Sequence, residues 1–133
     1  MTDPKQDEVR SWLAKAEQDL AAAAWLLESP NTLFSAAGFH CQQAAEKALK
    51  AYLTLQEYPF EKTHSLSVLV GVCLKYNADF ERLRNAAVTL TPYAVITRYP
   101  GDLLEISEQE ARDALALAHQ IWEFILARLQ SPD

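Results

Sequence analysis

Glycine is scarce in this chain, with three residues in 133. That excludes a turn-rich β fold, which uses glycine at hairpins and bulges. Cysteine is scarcer still. Cys41 and Cys73 stand far apart and supply neither metal-ligand spacing nor a secreted disulfide framework, so both are expected to be small buried hydrophobes. No apolar run approaches the roughly 20 residues of a membrane span. The opening MTDPKQDEVR lacks the apolar core of a signal peptide, so a cytoplasmic protein without membrane contact is expected. Basic charge is short as well: 12 Lys and Arg against 18 Asp and Glu leave a net charge of −6. Such a surface attracts no phosphate backbone over distance, which argues against broad nucleic-acid binding and leaves room for a local basic site. The chain has no GxSxG, P-loop, dinucleotide fingerprint or HExxH, and no cofactor or metal is expected.

What is present is helical. Length fits one domain, 1–133, and Ala and Leu are abundant. Trp12, Leu13, Ala16, Leu20, Ala23 and Leu27 recur at three and four, predicting a first helix from Lys5 to Glu28 that Pro30 ends. A second helix is predicted from Thr32 to Gln56. Its small residues Ala37, Cys41, Ala44, Ala45 and Ala48 fall on one side, where they admit a neighbouring backbone. Thr63 can cap a short third helix carrying Leu66, Leu69, Val70 and Leu74, and a fourth is predicted from Asp79 to Leu90. The stretch 91–102 reads either as a kinked continuation or as an extended loop. Ser107 and Glu110 have capping-box spacing and open a last helix with the stripe Ala111, Leu115, Ala118, Ile121, Trp122, Ile125 and Leu129. The expectation is an all-α, up-and-down antiparallel bundle of four to five helices.

Four constellations bear chemistry. His40, Gln43, Lys47, Lys50 and Thr54 share a face of the second helix, with Gln42 and Glu46 on the next row. An imidazole, an amide and two ammonium groups in line suit a phosphate or a base; the same spacing describes a solvated face with pairs such as Glu46–Lys50. In TRYPGD, Arg98 is a bidentate donor and Tyr99 offers a hydroxyl and a stacking face; equally, Arg98 can hold the loop down by pairing with a helix carboxylate. In KTHSL, His64 stands at a helix start, as a base or as a structural cap. Arg112 and His119 lie seven apart on one helix face, about 10 Å along the axis. They suit phosphodiester cleavage, and the spacing also arises by chance on an amphipathic helix.

AEQDLAAAAWLL, FHCQQAAEKALKAYL, KTHSL and YAVITRYP, in that order and spacing, resemble the HEPN domain family, above all its small stand-alone prokaryotic members. The likeness runs from about residue 10 to 128. It implies a helical bundle that pairs into homodimers. It also implies partnership with a minimal nucleotidyltransferase in a toxin–antitoxin-like pair, and a nucleotide-binding role. Many members are metal-independent RNases with an R-x4-6-H motif that opens a late helix. Here no histidine follows Arg98 at that distance, while Arg112 and His119 meet the spacing further along. The first expectation is therefore a non-catalytic nucleotide- or partner-binding module using His40, Gln43, Lys47, His64, Arg98 and Tyr99. The second is an RNase using Arg112 and His119, and the third a structural dimer or scaffold without ligand.

Overall fold

The computed structural model describes residues 3–31, 33–60, 62–95 and 105–130. Helix α1 spans Pro4–Glu28, where Asp3 caps it by accepting from the Lys5 amide at 3.0 Å. Pro4 sits at the first position, where an amide hydrogen would have no intrahelical partner. The helix stops at Ser29, which is extended as Pro30 requires. Ala16, Leu20, Ala23 and Leu27 are buried as the stripe predicts, with Trp12 and Leu13 half-buried at its margin.

Helix α2, Phe34–Leu55, is the centre of the fold and packs on α1, on α3 (Leu66–Cys73) and on α5 (Glu108–Gln130). It begins after the predicted Thr32, which lies outside the described residues, and Leu33 at its start provides no side-chain cap. Ala37, Cys41, Ala44, Ala45 and Ala48 are fully buried, in line with close backbone approach. Burial pushes the thiols of Cys41 and Cys73 up to about 12, so neither is a nucleophile at neutral pH. Gly38 stands where a Cβ would come within 3.0 Å of Ile106 Cδ1 and 3.4 Å of the Tyr93 ring.

The end of α2 determines where the next segment goes. The Tyr58 amide donates to the Leu53 carbonyl at 3.0 Å and the Glu57 amide to that of Thr54 at 2.9 Å, a Schellman closure. Its left-handed position, usually glycine, is Glu57 with φ 58°, at a cost of about 1 kcal/mol. The chain reverses there and returns along α2 towards α3.

Two expectations about boundaries change. Ser65, not Thr63, caps α3, accepting from the Val68 amide at 3.3 Å, while Thr63 Oγ1 accepts from the Ser65 amide at 3.1 Å. The predicted fourth helix is divided into a 3-10 segment, Ala78–Leu83, and helix α4, Arg84–Leu90. Phe80 and Leu83 are its buried residues, three apart, which is the period at which a 3-10 turn aligns side chains. Residues Thr91–Ala94 continue as a second 3-10 turn with Pro92 near its start, so the kinked alternative holds for that part of 91–102. The capping box of α5 forms as expected: the Glu110 amide donates to Ser107 Oγ at 3.1 Å and the Ser107 amide to Glu110 Oε1 at 2.9 Å.

The architecture is all-α, with five α-helices and no strand among the described residues. Buried side chains of α1, α2, α3, α4 and α5 share one core, in which Phe80 packs between Tyr52 and Phe124 at ring distances of 4.7 and 4.9 Å. No helix among the described residues is long and apolar enough to cross a membrane.

Candidate functional site

The polar row of α2 is organised by two carboxylates. Asp19 of α1, 8% exposed, accepts from His40 Nδ1 at 2.8 Å through one oxygen and from Lys47 Nζ at 2.6 Å through the other. A carboxylate only accepts, so Nδ1 of His40 carries the proton and Nε2 is left for other partners. Lys47 likewise retains two ammonium protons beyond the one given to Asp19.

Glu46 repeats the arrangement on α2 itself. It accepts from His64 Nδ1 at 2.9 Å and from Lys50 Nζ at 2.8 Å. Gln42 donates to Glu46 Oε1 at 3.1 Å and to the His64 carbonyl at 2.8 Å, so the returning segment is fastened through both ring and backbone. Gln42, Glu46 and Lys50 are buried, and Lys50 Nζ lies 5.7 Å from the ring centres of both Trp12 and Phe60. The Glu46–Lys50 pair is thus an interior contact, not the solvated surface pair that its spacing also allowed. Trp12 Nε1 and Thr54 Oγ1 are buried without a hydrogen-bond partner among the described residues.

Burial of Glu46 raises its pKa, but hydrogen bonds from Lys50, His64 and Gln42 more than offset this and leave it below the ordinary 4.5. A carboxyl with a lower pKa folded than unfolded adds stability at neutral pH. That contribution is lost as pH falls through the folded-state value. Thermal melts should show Glu46→Gln flattening the acid side of the wild-type stability profile. Parallel acid losses in the two proteins would count against this role.

Between α1 and α2 lies an open cleft of about 360 Å³ lined by Lys15, Gln18, Asp19, Ala22, His40 and Lys47. Lys15 and Gln18 are exposed on α1. The two lysines outnumber Asp19 and leave a surplus of positive charge in a chain whose total is −6. A larger groove of about 580 Å³ lies elsewhere, lined by Pro4, Lys5, Glu8, Thr54, Glu57, Tyr58, Pro59 and Phe60. Its one cation, Lys5, already pairs with Glu57 at 3.5 Å, and Glu8 adds further negative charge, so it is no anion site. Among the described residues no group of three or more His, Cys, Asp or Glu side chains is placed to hold a metal.

The structure therefore brings His40 and Lys47 together. It turns Gln43 towards Gln42, whose Oε1 accepts from Gln43 Nε2 at 2.7 Å, and assigns His64 to the Glu46 cluster. Arg98 and Tyr99 lie outside the described residues. Arg112 is exposed near the start of α5, bonded to Glu108 at 2.9 Å and 3.7 Å from Glu28; the Glu108 hydrogen bond raises its pKa. His119 is exposed two turns further on. Sequence reasoning missed Asp19, although a carboxylate in step with the buried Ala16 and Ala23 was a usable signal.

A model of the HEPN domain family matches residues 9–129. The crystal structure of TT1696 from Thermus thermophilus is similar, with a TM-score of 0.72 and 30% identity over 90% of this chain and 96% of that one. So is that of ST0689, described as an archaeal HEPN homologue, with a TM-score of 0.70 and 25% identity over 92% of this chain and 98% of that one. No curated protein gives a significant match.

Proposed function

Because the chain belongs to the HEPN domain family, we propose that it is a dimeric, non-catalytic module that binds the phosphate end of a nucleotide in the α1–α2 cleft. It would work beside a minimal nucleotidyltransferase partner in a toxin–antitoxin-like pair. The observation that carries this reading is the convergence of Lys15, His40 and Lys47 around Asp19 in an otherwise acidic protein. Asp19 fixes His40 with Nε2 unpaired among the described residues and holds Lys47 by one proton of three. The donors are thus positioned before a ligand arrives, which lowers the ordering cost of binding. A cleft of this volume is also in the range of small-ligand sites.

Calorimetry with adenosine diphosphate and inorganic pyrophosphate tests the ligand half. Both are expected to bind, and Lys15→Ala should weaken both about tenfold, the scale of one charge-assisted hydrogen bond. Lys15 is exposed and makes no ion pair among the described residues, so the melting temperature should not change. Absence of binding by the wild-type chain, or unaltered binding by Lys15→Ala, would contradict the reading. Sedimentation and co-purification with the nucleotidyltransferase test the dimer and the partner.

The RNase reading rests on the exposed Arg112 and His119 of α5. It stands second because Arg112 is already engaged by Glu108 and Glu28.

A further inference from the structure

Trp25 is the most exposed large apolar side chain among the described residues, 73% accessible, on a helix whose other large apolar residues are buried or half-buried. Its position along α1 is specific. Lys15, Gln18, Ala22 and Trp25 succeed one another at intervals of three, four and three, which keeps them on one side of the helix. The first three line the cationic cleft. Trp25 follows one turn beyond Ala22, and its Cα lies about 9 Å along the axis from that of Asp19, at 1.5 Å per residue. Ala22, one turn before Trp25, is the smallest cleft-lining residue.

We propose that Trp25 is the base platform of this site: the phosphates lie over Lys15, Lys47 and His40, and a purine stacks on the exposed indole. The inference rests on the phosphate reading above and adds the ligand's other end. His40 and Lys47 converge on Asp19, so a ligand whose phosphates they hold has about 9 Å to span along the axis to reach the indole. An isolated indole gives stacking without hydrogen-bond readout, so the preference is for a large π surface over a small one. Charge complementarity selects the occupant: an apolar partner would gain nothing from the neighbouring lysines, whereas a nucleotide uses both features at once.

The test compares adenosine diphosphate with inorganic pyrophosphate on the full chain, by calorimetry and tryptophan emission. Trp12 and Trp122 are half-buried, so quenching on binding reports chiefly on Trp25. Wild type should bind the nucleotide about tenfold more tightly than pyrophosphate, within the range for one base on one aromatic ring. Trp25→Ala should remove that preference and leave pyrophosphate affinity unchanged, and Trp25→Phe should keep part of it. Pyrophosphate binding with no gain for the nucleotide, or the same ratio in Trp25→Ala, would overturn the stacking role alone. If neither compound binds wild type, the phosphate reading and this inference fail together. A Trp25→Ala chain that binds both ligands equally weakly, or elutes at half the mass, would make Trp25 a packing or dimer residue and overturn the proposal.

Discussion

Glu46→Ala should destabilise the protein by about 3–5 kcal/mol, the range for breaking a buried pair and leaving one charge uncompensated. In a domain of this size that is a fall in melting temperature of roughly 10–20 °C. The side chains of Glu46 and Lys50 are 6% and 8% exposed, so water cannot replace the lost partner. Removal also takes one of two acceptors from Gln42 and releases the ring of His64, leaving the returning segment held to α2 only through the His64 carbonyl at this point. Pairing Glu46→Gln with Lys50→Met should recover most of the loss, because a matched neutral pair leaves no buried charge. Thermal and denaturant unfolding of the single and double variants measures the coupling directly. Simple additivity would show that the two side chains do not act as a pair.

Asp19→Ala should cost about 2–3 kcal/mol, since it strands Lys47 and His40 without the acceptor that positions both. The side chains of Asp19, Lys47 and His40 are 11%, 23% and 32% exposed, which makes the loss smaller than at Glu46. Gln18→Ala, at the exposed neighbouring residue, should change stability by less than about 0.5 kcal/mol. Equal small losses in both variants would place Asp19 among ordinary surface pairs, which contribute little. The ring of His40 supplies a second readout: Asp19→Ala should abolish a protected Nδ1–H resonance that wild type shows by nuclear magnetic resonance.

The legible parts of the fold were those written in local pattern. The Ala-rich side of α2, the stripes of α1 and α5 and the Ser107–Glu110 box depend on spacing within one helix, and each formed as spacing dictates. Choices between nearby equivalents were not legible. Thr63 and Ser65 both carry a cap hydroxyl, and which one caps α3 follows from where the Schellman turn and Glu46 hold the chain. The division of the fourth helix reflects Phe80 seating between Tyr52 and Phe124, a contact between distant segments.

The polar row shows the same limit. An i,i+4 Glu–Lys pair looks identical in sequence whether water or Trp12 and Phe60 cover it. Helical periodicity correctly put His40 and Lys47 on one face, but the group that unites them, Asp19, comes from another helix. His64 is held apart from them by a different carboxylate, Glu46 of α2.

The central claim is that the α1–α2 cleft receives a nucleotide by its phosphates. It is met most directly by a heteronuclear resonance titration of the full chain with adenosine diphosphate. The account predicts saturable shifts centred on Lys15, Gln18, Ala22, His40 and Lys47, with the Nε2 signal of His40 moving most. Shifts centred instead on Arg112 and His119 of α5, or none at all, would contradict it.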